Sequence, residues 1–390
     1  MDLLDRLPLL LDPIPDFHAA GLPAGTEPEL WLAQHPDRAG NLLKTFLPAG
    51  AQVLSAPTMY ASRFCLPDCD IAGLNDSLMK MTRHIAPSGI PIGGKIGPSG
   101  LFVPPHGKSD FDDIYEGYRE QIRALAKAGA DFLLLESLHA LSDLRAALLA
   151  ARTTSLPVIA LISADTDGHT MTGGNFLPML ITLQAMGADA IGLSCSATPK
   201  LAEQFFLAQQ HTAVPFAVRL EVDSLTPKEL ATAALPFLNA GVRIVGAGIG
   251  GGPEHLMALA DTVKKFGPPE QTEEPDCDAA AIEQEAFFLG EDIVLSEPIS
   301  CTCSLADDLI DLDDAQVTAA LIDITSIDDA VLLGAVSGMT RLPIAVHADS
   351  PTVLDAALRY FQGRLIIDSN CQIEHEILEP LAVKYGAIIY

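Results

Sequence analysis

Short apolar runs alternate along this chain with longer amphipathic stretches. The runs LPLLLD, AQVLSAP, IPIGGKIG, DFLLLES, LPVIALIS, DAIGLSCS, VPFAVRL and RIVGAGIG are nearly continuous in aliphatic and β-branched residues, the pattern of strands buried on both faces. Between them, segments such as DDIYEGYREQIRALAKAG and SDLRAALLAAR place apolar residues at i, i+3, i+4 and i+7, the spacing of an amphipathic helix. Eight such β/α units fit within residues 1–265, which predicts a closed (β/α)8 barrel, an α/β fold with a parallel sheet covered by helices.

Glycine punctuates the repeat. Ala49-Gly50-Ala51, Ala128-Gly129-Ala130, Met186-Gly187-Ala188-Asp189 and Ala240-Gly241-Val242 each stand just before a strand, where a glycine ends the preceding helix. Barrels of this kind carry their active site at the C-terminal strand ends. Chemistry is therefore expected around Asp12, Pro57-Thr58, Gly97-Pro98, Glu136-Ser137, Ser163, Ser194-Cys195, Arg219 and the glycines after Val245.

Residues 266–280, FGPPEQTEEPDCDAA, are rich in proline and acid, have no apolar period and read as a linker. Over residues 281–390 the alternation resumes with DIVLSEPI, AALIDITS, LPIAVHAD, GRLIIDSN and GAIIY, which predicts a smaller, incomplete parallel α/β domain, a half-barrel of five strands. An apolar parallel sheet ending on an uncovered strand leaves an edge, so this half is expected to be either the first part of a longer barrel or a half that pairs with a second copy or with a partner chain.

Composition narrows the class. With 49% hydrophobic and 19% charged residues, and 30 Gly and 28 Pro spread along 390 positions, the chain is globular. Its net charge of −28, from 51 acidic against 23 basic residues, argues against nucleic acid or an anionic membrane surface as a partner. The start, MDLLDRLPLLLDP, is too acidic and its apolar part too short for a signal peptide, and no apolar run is long enough to span a bilayer; a cytoplasmic location is expected. Seven cysteines at positions 65, 69, 195, 277, 301, 303 and 371 form no disulfide framework in a chain this long and are expected as thiols.

Several segments together resemble the homocysteine S-methyltransferase family, over residues 7 to about 265. They are LPLLLD with GLPAGTEPELW, AGAQVLSAPTMYASR, KIGPSG, YREQIRALAKAGADFLLLES, DGHTMTGG, MGADAIGLSCS and GVRIVGAGIGGGPEHLMALA. The resemblance implies methyl transfer to the thiol of a small amino acid, in methionine and one-carbon metabolism, with methyltetrahydrofolate or methylcobalamin as methyl donor. It also implies zinc held by three cysteine thiolates, which keep the substrate thiol ionised. Here Cys195 occupies the first ligand position, while Gly248 and Ile249 stand at the other two, so the zinc site is incomplete. Cys195 is either the remaining ligand and nucleophile or a small packed thiol. At further matching positions Asp12, Glu136 and Thr172, together with Ser194 where the resemblance implies Asn, are the implied substrate-binding residues. The run Gly246–Gly252 precedes a predicted helix, and the N–H groups of Gly248, Gly250 and Gly251 are expected to cradle an anion. His255 reads as a cap of that helix or as a surface residue.

The C-terminal part resembles the first five strands of a pterin-binding barrel through LPIAVHADSPTVLDAALRYFQGRLIIDSN and AVKYGAIIY. In it, His347 stands where the resemblance implies Asp, and Asp368 and Thr325 where it implies Asn. Changes at functional positions in both halves leave a second expectation beside the enzyme, a catalytically silent relative that serves as a binding or scaffold subunit.

Overall fold

A computed structural model describes residues 3–268, 274–290, 293–312 and 317–390. Eight strands, β1 (Leu9–Leu10), β2 (Leu54–Ala56), β3 (Ile92–Ile96), β4 (Phe132–Leu138), β5 (Val158–Ser163), β6 (Ala190–Cys195), β7 (Phe216–Leu220) and β8 (Val242–Ala247), form one parallel sheet in the order β1-β8-β7-β6-β5-β4-β3-β2. The sheet curls until β1 and β2 meet. That seam is held by Gln52 N–H donating to the Leu10 carbonyl at 3.1 Å, Leu10 N–H donating to Gln52 Oε1 at 2.6 Å, and Ser55 donating twice to Asp12. The fold is the expected (β/α)8 barrel.

Each expected run lies on one of these strands, and the helices between them follow the predicted period. The helix Phe111–Lys127 buries Phe111, Ile114, Tyr118, Ile122 and Leu125, steps of three and four residues that keep one face on the sheet. Burying each such side chain contributes about 1.5–3 kcal/mol. Asp110 starts this helix by accepting from Asp112 N–H, and Gly129 ends it at φ +85°. The other three expected helix-ending glycines, Gly50, Gly187 and Gly241, also have left-handed φ.

Two apolar layers result from strand alternation. Leu9, Leu11, Val53, Phe132, Leu134, Ile159, Leu161, Ala190, Ala217 and Ile244 fill the barrel lumen, while the alternate strand residues pack outward against the helices.

Beyond the barrel, β9 (Ala279–Ile282), β10 (Ala286–Phe288), β11 (Ile299–Ser300), β12 (Ala320–Asp323), β13 (Ile344–His347), β14 (Gly363–Arg364), β15 (Ile366–Ile367) and β16 (Ile388–Ile389) make two sheets. The expected five parallel strands are present in the order β11-β12-β13-β15-β16. A second, antiparallel sheet, β10-β9-β14, was not expected. Its β9 begins at Ala279, inside the stretch read as linker, of which residues 269–273 lie outside the described residues.

The helix Leu141–Ala151 shows how the parts join. All 11 of its residues are buried, because the barrel covers one side and the C-terminal half the other. Arg145, itself buried, donates to the carbonyls of Leu358 at 2.6 Å and Arg359 at 3.1 Å and to that of Phe361, at the C-terminus of the helix Pro351–Tyr360. A guanidinium there meets orphan carbonyls and the negative end of the helix dipole. Next to it, Ile181 of the helix Phe176–Ala185 packs on Ala279 and Ala281 of β9. Among the described residues, no helix is long and apolar enough to cross a membrane.

Candidate functional site

Four charged side chains meet inside the barrel toward the C-terminal strand ends. Lys95 lies on β3, Glu136 on β4 and Arg219 on β7, each in register with or two residues beyond a lumen-facing position, and Asp12 follows lumen-facing Leu11 just past the end of β1. Asp12, Glu136 and Arg219 are fully buried and Lys95 is 4% exposed. Two acids and two bases cancel in formal charge, which is how four ionisable groups can share so dry a space.

Their partners differ. Asp12 accepts from Ser55 through N–H at 2.9 Å and Oγ–H at 2.7 Å. Arg219 Nη1 donates to the carbonyls of Asp12 and Ala247, both at 2.9 Å, and its Nε lies 2.7 Å from Glu136 Oε2. That ion contact is not aligned as a hydrogen bond, so Glu136 Oε2 and Arg219 Nε and Nη2 have no hydrogen-bond partner among the described residues. Gly246 makes the space: a Cβ there would sit 2.9 Å from Arg219 Nη1. The Lys95 amine has neither hydrogen bond nor ion pair among the described residues. Burial pushes its pKa below the ordinary lysine value and Arg219 pushes the same way, against the pull of Asp12 and Glu136.

A bulge between Leu135 and Leu138 shapes the Glu136 end of the site. Ser137 is held there at φ +58°, a left-handed conformation that strains a residue with a Cβ, and its Oγ donates to Ser194 at 2.9 Å and to Glu136 Oε1 at 3.3 Å. Glu136, Ser137 and Ser194 are thus one connected group, next to Arg219 and Asp12.

Other sequence candidates lie elsewhere. Cys195 is fully buried among outward-facing residues of the sheet–helix layer, and burial, followed by the nearby Glu221, pushes its thiol pKa well up. Among the described residues no three His, Cys, Asp or Glu side chains converge as a metal site would require, so these residues do not fit the three-thiolate zinc of the resemblance. Thr172 Oγ donates to Glu283, from the turn between β9 and β10, and lies 3.1 Å from Thr170 Oγ. It lines a crevice of about 50 Å3 between barrel and C-terminal half, with Pro105, His106, Glu283 and Gln362. In the glycine run, Gly248 N–H donates to the Leu220 carbonyl at 2.7 Å and Gly251 N–H to the Gly248 carbonyl at 3.1 Å, so two of the three expected anion donors already have chain partners. His255 caps its helix through Gly252 N–H at 3.2 Å and holds the Leu225 carbonyl at 3.0 Å.

At the C-terminal ends of the second sheet, His347 Nδ1 is 2.8 Å from Asp368 Oδ2, and Asn370 donates to Asp368 Oδ1. Thr325 donates through N–H and Oγ–H to Asp329 at the start of the helix Ile327–Val336. These three positions therefore satisfy one another or their own helix end.

The sequence points to Arg219 as a strand end where chemistry is expected, but does not single out Lys95. A lysine inside an apolar strand run, IGGKI, was the available signal.

A family model described as Homocysteine S-methyltransferase matches residues 16–263. Methionine synthase of Mycobacterium tuberculosis (strain ATCC 25618 / H37Rv) is 25% identical over 386 residues, taking in 86% of this chain and 32% of that protein. Methionine synthase of Mycobacterium leprae (strain TN) is 24% identical over 390 residues, with the same coverage of 86% and 32%. The chain thus spans about a third of the length of these curated relatives. Among solved structures, the metallated form of the homocysteine methyltransferase MmuM from Escherichia coli matches with a TM-score of 0.57 at 21% identity, over 66% of this chain and 98% of that one; the likeness is one of fold.

Proposed function

Since the chain belongs to the homocysteine S-methyltransferase family, we propose that it serves methionine and one-carbon metabolism by binding a zwitterionic amino acid of the homocysteine class in the mouth of its barrel. The observation that carries this reading is the set of unsatisfied buried polar atoms on Glu136 and Arg219. Buried polar atoms without partners are costly, by about 1–3 kcal/mol each. An ammonium group beside Glu136 and a carboxylate on the Arg219 N–H groups would satisfy both at once, because a zwitterion carries the two charges in the same molecule.

In this reading Ser137 and Ser194 orient the Glu136 carboxylate and Asp12 latches the barrel seam. Methyltetrahydrofolate or methylcobalamin is the donor class in keeping with the family. No step is assigned to zinc, because the residues do not fit it.

The test is titration calorimetry of the full chain with L-homocysteine and with L-methionine, alongside methylation assays with each donor and zinc analysis of the reduced protein. Homocysteine binding that is lost in Glu136→Gln, with substoichiometric zinc, is the expected result. Absence of both binding and methylation overturns the reading. Near-stoichiometric zinc that disappears in Cys195→Ser overturns the exclusion of the metal.

A second reading, a silent binding or scaffold subunit, is favoured by one feature: Arg219 supplies internally the positive charge that a substrate would bring to Glu136. Binding without turnover by any donor separates the two.

A further inference from the structure

We propose that Glu283, in the turn between β9 and β10, is a positioning residue: from the C-terminal half it fixes the two loops that carry Glu136, Ser137 and Ser194. Its effect on ligand binding rests on the reading of that group as an amino-acid site.

The turn is short. Ile282 N–H donates to the Glu285 carbonyl at 3.0 Å, which puts Glu283 and Gln284 at the tip. Glu283 is only 8% exposed, and its Oε1 accepts two hydrogen bonds from the barrel, one from Thr172 Oγ and one from Leu141 N–H at 3.3 Å. Gly174 makes room for the side chain: a Cβ there would lie 2.7 Å from Glu283 Cγ.

Docking of the turn does not need these two bonds. Its backbone is already held, since Asn175 donates through N–H to the Glu283 carbonyl at 3.0 Å and through Nδ2 to the Gln284 carbonyl at 2.6 Å. The carboxylate reaches past these contacts to the first N–H of the helix Leu141–Ala151. That helix follows Ala140, which has no side-chain oxygen to cap it. Glu283 therefore satisfies one of its orphan donors and places negative charge at the positive end of its dipole.

Both bonded segments lead back to the site. Leu141 stands four residues after Ser137, whose left-handed φ of +58° persists only where the surroundings hold it, and Ser137 Oγ donates to Glu136 and Ser194. Thr172 lies in the loop between β5 and the helix Phe176–Ala185, and that loop leaves the sheet at Ala164, whose N–H donates to the Ser194 carbonyl at 3.3 Å. One carboxylate oxygen thus ties the far ends of two loops whose near ends carry the Glu136 carboxylate and its two serines. Such coupling is reciprocal, so an amino acid that favours the ordered loops also seats the turn more firmly.

The test is hydrogen exchange by mass spectrometry, with calorimetry, on the full native chain and on Glu283→Ala, Glu283→Gln and Thr172→Val, each with and without L-homocysteine. In Glu283→Ala, exchange over residues 137–141 and 164–175 should speed up about tenfold while the barrel strands keep their native rates, and homocysteine should bind about tenfold more weakly. Glu283→Gln, whose amide oxygen accepts the same two bonds, should restore both, and Thr172→Val should loosen residues 164–175 alone. Homocysteine should slow exchange over residues 279–288 in the native chain and not in Glu283→Ala. Exchange raised throughout the barrel in Glu283→Ala, or native loop rates in both Glu283→Ala and Thr172→Val, overturns the proposal. A native chain that binds no homocysteine while its loops still respond to Glu283→Ala overturns the amino-acid reading and upholds the positioning role.

Discussion

Glu136 and Arg219 touch at 2.7 Å with no solvent at either side chain, which makes each the other's main defence against burial as a lone charge. Glu136→Gln or Arg219→Met alone should lower stability by about 3–5 kcal/mol, and the double variant should recover part of that loss. Urea unfolding of the four proteins checks it; additive losses would mean that the two charges do not act as a pair. Asp143 gives a residue-scale prediction in pH. Burial lifts its carboxyl to about 6, against the hydrogen bonds from Ser99 and Tyr118 that favour the ionised form. A raised carboxyl stabilises the folded chain fully below the unfolded value near 4, and that contribution is lost as pH rises through the folded value. Stability of the native chain relative to Asp143→Asn should therefore fall by about 2–3 kcal/mol between pH 4 and 6, as measured by denaturant midpoints across that range. At this scale the sequence was legible for Asp12 and Glu136, acids that interrupt or follow apolar runs. It was not legible for Lys95, since a single cation in a strand gives no sign of which face it takes until the register of β3 on β4 is known.

Among the elements, the helix Leu141–Ala151 joins the two parts of the chain. Its sequence LSDLRAALLAA has no polar stripe to spare, and that is a sign of burial on all sides. Arg145→Met should lower stability by about 2–4 kcal/mol, because it leaves the last carbonyls of the helix Pro351–Tyr360 without a donor. Earlier protease cleavage within residues 266–280 than in the native chain, at matched temperature, would show that the loss falls on the docking. The barrel strands and glycine stops could be read from the sequence because a period of two or of 3.6 is a local property. The β10-β9-β14 sheet could not. Its strands are only 2–4 residues long, lie in an acidic setting and form by docking on the helix Phe176–Ala185, a partner distant in sequence.

For the whole molecule, continuous apolar strands alternating with amphipathic helices were enough to predict the barrel, and the resumed alternation predicted the five-stranded parallel sheet. How the two meet was not encoded in any local pattern. Thr172 illustrates it: the motif that singles it out carries no sign of its bond to Glu283 of the C-terminal half. The charge balance of the lumen also bears on traffic to it. Four formal charges that sum to zero inside leave the whole of the −28 to the rest of the chain. A small anion thus meets a repulsive field as it approaches, whereas a zwitterion meets almost none at long range. Raising the ionic strength shortens the reach of that field to about 8 Å near physiological salt. Salt should therefore speed the entry of an anion and leave the entry of an amino acid nearly unchanged, so the salt dependence of arrival tells the two ligand classes apart.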